Sequence, residues 1–256
     1  MDKITSADGT QIAYEVAGEG YPIIFVAGAF NDHHRLAPLA AALADSFTVV
    51  GYDRRARGDS GDVRPYRIDR EVDDLALLID RVGGSAAVFG YSSGAVLGLY
   101  AATTLPITHL ALYEAPFAVA GQNRRADLPD RLEALIRDGR PGDAVALFQT
   151  EGIGLPPQMV EQIKQSPMWP ALEAIAQSTV YDATITTELA EPTAAMAAVS
   201  VPTLVLTGAD TWPALREAAR SLPIGRHLEV TGGENHDIPV EATAALLREL
   251  VTVKNP

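Results

Sequence analysis

Ala86-Ala87-Val88-Phe89-Gly90-Tyr91-Ser92-Ser93-Gly94-Ala95-Val96-Leu97 is the stretch whose reading decides the fold of this chain. Its first four residues are apolar and suit a short buried strand. Gly90 to Gly94 form a Gly-x-Ser-x-Gly turn, and Ala95-Val96-Leu97 opens an apolar helix. A strand that bends this sharply into a helix lifts the hydroxyl of Ser92 clear of the sheet, as in a nucleophile elbow. Gly90 and Gly94 flank the serine because a side chain at either place would collide with the neighbouring strand or helix. The helix that begins at the serine also aims free N–H groups and its positive dipole end at the reacting atom. Two glycines and a serine at this spacing also occur in ordinary turns. The strand before them and the helix after them set this turn apart.

Outward from that segment the chain alternates strands and helices. Residues 3–7 and 10–17 read as a hairpin turned at Asp8-Gly9. Pro22 to Ala27 is a continuous apolar run, the pattern of a strand buried on both faces. Residues 32–45 read as a helix with Leu36, Leu39, Ala40 and Leu43 on one face, and Phe47 to Tyr52 as the next strand. Over 68–82, Val72, Leu75, Leu78, Ile79 and Val82 recur at helical steps. Ile107 to Tyr113 is another strand. This alternation predicts a parallel sheet covered on both faces. The rhythm stops between 117 and 195, where helices are expected near 128–138, 141–150, 157–166 and 168–179, punctuated by prolines and Gly139. It resumes with a strand over 201–207, a helix around 213–221, a strand over 226–231 and a closing helix over 238–252. The expected organisation is a core of residues 1–116 and 196–256 carrying a helical lid of residues 117–195.

Composition narrows the classes of function. Apolar residues are 47% of the 256, enough for a sizeable core and against wholesale disorder. The 33 acidic and 20 basic residues give a net charge of −13, which repels phosphate backbones; neither nucleic acid nor an anionic membrane is an expected partner. With no cysteine, thiolate catalysis, disulfides and cysteine-ligated metals are excluded. The first residues lack the apolar stretch of a secretory signal and no 18-residue apolar run occurs, so a soluble cytoplasmic protein is expected. No Gly-x-Gly-x-x-Gly loop or metal-ligand cluster stands out, and no metal or organic cofactor is expected.

The strand ahead of Gly28, the segment Tyr52-Asp53-Arg54-Arg55-Ala56-Arg57-Gly58-Asp59-Ser60, the Gly90–Gly94 turn, the helical interruption and the late His236 together resemble the α/β-hydrolase superfamily. The resemblance spans essentially the whole chain. It implies an eight-stranded, mostly parallel sheet with helices on both faces, a lid after strand six, and catalytic residues in the order serine, acid, histidine.

Ser92 needs a base within hydrogen-bond reach. Of the five histidines, His109 lies inside a predicted strand, His227 opens another, and His33 and His34 follow Gly28. His236 lies in the loop after the last strand, on the side where sites gather in such sheets, and is the expected base. Two residues compete for the acid that orients it. In many members of the superfamily the acid closes a Gly-x-x-Asp turn after strand seven. Here that turn is Gly208-Ala209-Asp210-Thr211, so Asp210 stands one residue early. The other candidate, Glu114 in Glu114-Ala115-Pro116, follows strand six. Lactonases of the zearalenone-hydrolysing type are similar there, pairing a Ser-Ser-Gly elbow with a glutamate shortly before a proline. Glu114 is the preferred candidate and Asp210 the alternative.

The resemblance implies an oxyanion hole built from two backbone amides, that of Ser93 and that of Ala29 (or Phe30) in the loop after strand three, with Gly28 allowing close approach. Gly28, Phe30 and Trp169 are the expected substrate-binding residues, and Phe148, Ile153, Leu155, Met159 and Met168 are further candidates for an apolar wall. The charged cluster Asp53 to Asp59 reads as an arginine–carboxylate network bracing its loop. The expected activity is hydrolysis of a medium-sized apolar ester or lactone by a monomer or homodimer. The alternatives are an acyltransferase, lyase or perhydrolase on the same scaffold, or a binding protein with a degenerate triad.

Overall fold

The computed structural model describes residues 1–119 and 125–252; residues 120–124 of the expected lid and 253–256 of the final core segment lie outside the described residues. Eight strands form one sheet in the order β1-β2-β4-β3-β5-β6-β7-β8, with β1 (Asp2–Thr5), β2 (Gln11–Ala17), β3 (Tyr21–Val26), β4 (Phe47–Tyr52), β5 (Ala86–Tyr91), β6 (Ile107–Tyr113), β7 (Thr203–Asp210) and β8 (Arg226–Glu234). β2 runs antiparallel to β1 and β4; the other pairings are parallel. The β1–β2 hairpin turns through Gly9 at φ 89°, a conformation that favours glycine.

β5 sits at the centre of the sheet, with Phe89 opposite Phe25 of β3 on one side and Ala111 of β6 on the other. Its alternate residues serve two cores. Ala86 and Val88 pack with Leu75, Leu78 and Ile79 of α2 (Ile68–Arg81) and with Val96 and Leu97 of α3 (Ser93–Ala101). Ala87, Phe89 and Tyr91 face Leu39 and Leu43 of α1 (Ala37–Leu43) and Leu247 and Leu250 of α11 (Val240–Thr252). A strand with both faces covered needs no polar alternation, which explains the unbroken apolar runs.

Between β6 and β7 stand α4 (Leu128–Arg137), α5 (Pro141–Leu147), a π-helical stretch (Phe148–Ile153), α6 (Pro157–Lys164), α7 (Trp169–Ala174), α8 (Gln177–Glu188) and α9 (Ala194–Ala197). Leu128, Leu132, Ala144, Phe148, Val180 and Tyr181 make a core of their own, beside a smaller group of Val145, Leu172 and Ala176. Ile185 and Met196 join the main core instead, so α8 and α9 bind this insertion to the sheet side. α10 (Pro213–Ser221) follows β7.

Three expected helices differ. The helix predicted over 32–45 is a 3-10 turn (His33–Leu36) followed by α1: Pro38 has no N–H to donate to the His34 carbonyl, and the Ala37 amide takes that oxygen instead, closing the tighter turn. That predicted over 141–150 tightens into α5 and then widens into the π-helical stretch, which Gly154 ends in the left-handed region. That over 168–179 divides into α7 and α8 at Ile175-Ala176.

Candidate active site

Ser92 sits between β5 and α3 with φ 56° and ψ −126°, a strained conformation for a residue with a side chain. Its amide donates to the Tyr113 carbonyl at 2.9 Å, which ties the bend to β6. Two glycines, Gly94 within the turn and Gly28 beside it, let the chain pack this closely at the bend. A Cβ on Gly94 would lie 2.2 Å from the Val26 carbonyl oxygen, and one on Gly28 would lie 2.7 Å from the Ser92 Cβ. Gly28 therefore serves close packing against the elbow.

His236 lies just beyond β8, with Asn235 and His236 both at positive φ (48° and 70°). Of the two candidate acids, Glu114 is the one that reaches it: its Oε2 is hydrogen-bonded to His236 Nδ1, and its Oε1 accepts the Gly208 amide at 2.8 Å. Glu114 is fully buried at the end of β6, itself at φ 51°, and its own amide donates to the Leu206 carbonyl. Asp210 ends β7 with an exposed side chain, and among the described residues no hydrogen bond joins it to His236. The neighbouring Thr211 hydroxyl is buried and has no hydrogen-bond partner among the described residues. A carboxylate only accepts, so Nδ1 carries the proton and Nε2 is left as the basic nitrogen. The imidazole packs against Tyr91 (centroids 4.7 Å apart) and Trp212 (5.6 Å). The Tyr91 hydroxyl donates to the His236 carbonyl at 2.7 Å, and that of Tyr113 to the Asp237 carbonyl at 2.7 Å, so residues around the elbow hold the histidine loop.

Ser92 and His236 line one cavity of about 390 Å³. Ala29, Ser93, Phe117, Phe148, Ile153 and Trp212 contribute to its walls. Ala29 and Ser93, the expected amide donors, thus stand at the serine. Among the described residues the Ala29 and Phe30 amides make no hydrogen bond. Phe30, expected against substrate, lies one layer back: at φ 60° its ring meets that of Phe148 edge-on at 5.5 Å, and it is Phe148 that faces the cavity. Trp169 requires a correction. It begins α7 and packs with Val145, Leu172 and Ala176 inside the insertion, away from the cavity wall. Met159 and Met168 are exposed and Leu155 is also outside the wall, whereas Phe148 and Ile153 are in it. Trp212 takes the place assigned to Trp169. The signal was its position straight after β7, at the carboxyl end of a strand, where ligands bind in sheets of this kind.

The arginines after β4 are buried. Arg54 makes a two-pronged pair with Glu71 at 2.6 Å for each bond, Arg55 pairs with Asp74 at 2.6 and 2.8 Å, and Arg57 meets Asp182 of α8 at 2.8 Å. Burial alone would push the Asp182 carboxyl up, but the Arg57 and Arg54 guanidiniums hold it below the ordinary carboxylate value. Glu71 behaves likewise beside Arg54. The network braces its loop, as expected, and also reaches the insertion through Asp182, which sequence reasoning missed. An acid set between Tyr181 and Ala183 in an otherwise buried helix was the available signal.

For metals, Asp32, His33 and His34 offer ligand atoms within 4.8 Å of one another. His33 Nδ1 is taken by Asp53 at 2.7 Å, and the group lies outside the cavity that Ser92 shares. Among the described residues no helix is long and apolar enough to cross a membrane.

Comparison with known proteins bears on the fold and the family. The model of the alpha/beta hydrolase family matches residues 23–249. An alpha/beta hydrolase from Sphaerobacter thermophilus DSM 20745 is 46% identical and superposes with a TM-score of 0.89, over 98% of this chain and 100% of that one. A thermophilic esterase from Thermogutta terrifontis, 23% identical, shares the fold at a TM-score of 0.72 over 98% and 97% of the two chains. The uncharacterized hydrolase YraK of Bacillus subtilis (strain 168) is 39% identical over 95 residues, a stretch that spans 36% of this chain and 35% of that protein. With its sheet order, its strand–serine–helix bend and a family match over most of its length, this chain belongs to the alpha/beta hydrolase family.

Proposed function

We propose that this protein is a serine hydrolase that cleaves an uncharged, largely apolar carboxylic ester or lactone. One observation carries the reading: a fully buried glutamate is hydrogen-bonded to His236 Nδ1, and His236 shares a cavity with a serine held on a strained bend. Ser92 Oγ attacks the carbonyl carbon and its proton passes to His236 Nε2, while Nδ1–H stays on Glu114. The Ser93 and Ala29 amides receive the oxyanion. As the tetrahedral adduct collapses, Nε2–H protonates the departing alkoxide, leaving an acyl-enzyme. Water then attacks that ester with Nε2 as base, and the acid is released. Phe117, Phe148, Ile153 and Trp212 favour an apolar substrate. Among the described residues the wall carries one carboxylate, Glu151, which is paired with Arg131 at 2.6 Å, and neither lysine nor arginine for an anionic substrate. The position of Glu114 after β6 supports the lactone branch of the reading.

The test uses p-nitrophenyl butyrate and a fluorophosphonate probe. Wild type is expected to release both nitrophenol and butyrate and to be labelled at Ser92. Ser92→Ala is expected to lose labelling and at least about 10³-fold in kcat at an unchanged Tm. Turnover retained by Ser92→Ala refutes the reading.

A further inference from the structure

We infer that Asp182, on a helix of the insertion, is a positioning residue that sets both amides of the oxyanion hole; the inference rests on the serine-hydrolase reading above. Its carboxylate has no exposure to solvent. Oδ1 accepts the Ser93 hydroxyl at 2.7 Å and Arg54 Nη1 at 3.0 Å, and Oδ2 accepts Arg57 Nη2 at 2.8 Å. The two arginines continue to the loop after β3: Arg54 Nη1 donates to the Ala27 carbonyl at 3.1 Å, and Arg57 Nη1 to the Gly28 carbonyl at 2.8 Å.

The Gly28 carbonyl and the Ala29 N–H belong to one planar trans peptide and point in opposite directions. Holding the oxygen from one side therefore fixes the direction of the N–H on the other. The second donor, the Ser93 amide, belongs to the residue whose hydroxyl Asp182 accepts directly. A single carboxylate thus stands one hydrogen bond from one donor residue and two from the peptide that carries the other. Arg57 depends on it most. Arg54 also has Glu71, whereas among the described residues Asp182 is the only carboxylate paired with Arg57, whose Nε has no hydrogen-bond partner. The same links make α8 a fixed part of the site, because withdrawing it would leave two buried guanidiniums short of a counter-charge. They also distinguish Ala29 from Phe30 as the donor: among the described residues, the carbonyl of the peptide carrying the Phe30 N–H is held only by the Asn31 side chain, outside this network.

The experiment compares wild type, Asp182→Asn and Ser93→Ala. The amide of Asp182→Asn keeps the shape and loses the charge and the second acceptor, so the donors shift without being removed. Kcat on p-nitrophenyl butyrate is expected to fall about 10- to 100-fold, less than the loss of a whole oxyanion donor, with KM within about threefold. Inhibition by phenylboronic acid, whose Ser92 adduct places an oxygen where the oxyanion forms, is expected to weaken by the same factor as kcat/KM. The pH profile of kcat/KM is expected to stay in place, because the Glu114–His236 pair is untouched. Ser93→Ala loses only the hydroxyl link and is expected to lose about 3- to 10-fold in kcat at a Tm within a few degrees. Kcat of Asp182→Asn within twofold of wild type, or an unchanged boronate Ki beside a reduced kcat, overturns the inference. If Asp182→Asn does not fold, Ser93→Ala decides alone, and an unchanged kcat overturns it. Fluorophosphonate labelling of wild type and loss of turnover in Ser92→Ala keep the two readings apart: with both in hand, an inert Asp182→Asn removes only the positioning role.

Discussion

Glu114→Gln exposes the reasoning most directly, because the substitution changes two hydrogen atoms' worth of volume and reverses one hydrogen bond. Glu114 is fully buried and accepts twice, from the Gly208 amide at 2.8 Å and from His236 Nδ1. Glutamine keeps the first bond through its carbonyl oxygen and turns an NH2 toward Nδ1. That NH2 donates, so the imidazole must place its proton on Nε2, where it can no longer take the proton of Ser92. It also loses the negative charge that stabilises the imidazolium. Exchange of an orienting carboxylate for its amide costs about 10⁴ in kcat, or roughly 5.5 kcal/mol of transition-state stabilisation. The cost to folding is smaller, about 1–2 kcal/mol, since one buried bond is kept and the other weakened. The expected result on p-nitrophenyl butyrate is therefore a kcat reduced about 10³- to 10⁴-fold at nearly unchanged KM, in a protein that still melts cooperatively. Asp210→Asn, at an exposed position, is expected to keep kcat within about tenfold. A Glu114→Gln enzyme within tenfold of wild type, or an Asp210→Asn enzyme that carries the loss, would show that the buried pair is structural.

Two more outcomes follow from the packing and the charges. Trp169→Ala is expected to lower stability by about 1–3 kcal/mol by opening the group around Val145 and Leu172, with KM unchanged, whereas Trp212→Ala, which strips a ring from His236, is expected to cut kcat/KM about tenfold; thermal melts and ester kinetics on both variants check this, and a larger KM change in Trp169→Ala contradicts it. Asp182 and Glu71 titrate below their ordinary values when folded, so the unfolded chain binds more protons in that range and stability is lost as pH falls below about 4, opposed in part by Asp74, which burial pushes up. Melting temperature measured from pH 7 to 3 is expected to drop steeply at the acid end, and less steeply in Asp182→Asn; a flat curve contradicts the assignment.

What the sequence discloses and what it withholds divide along the range of the interactions. The elbow is local. Gly90-Tyr91-Ser92-Ser93-Gly94 contains the residues that force the bend and those that relieve it, and β5 and α3 follow from the apolar runs on either side. The parallel sheet is legible for the same reason, since strands buried on both faces have a pattern that solvent-facing strands lack. The acid was the hard case. Glu114 and Asp210 end the adjacent strands β6 and β7, and spacing alone places both near the histidine loop. What separates them is the direction of one side chain at each strand end. Glu114 turns inward at a positive φ that a sequence pattern does not reveal, and the Gly208 amide is there to receive it.

The insertion shows the limit more sharply. Its helices are legible from the prolines and the glycine that punctuate them, but punctuation says where a helix begins and not against what it packs. Trp169 and Trp212 are both apolar residues next to a proline at a helix start. One packs within the insertion, the other at the imidazole, and the choice is made by where each helix is anchored: α10 follows a sheet strand, while α7 touches its neighbours in the insertion. Asp182 is the counter-example that gives the rule content. A carboxylate in a buried helix must find cations, and the densest run of them in the chain, Arg54 to Arg57, lies more than a hundred residues earlier. Charge compensation therefore predicts a long-range contact where hydrophobic periodicity cannot, and it places α8 against the loop whose carbonyls those arginines hold.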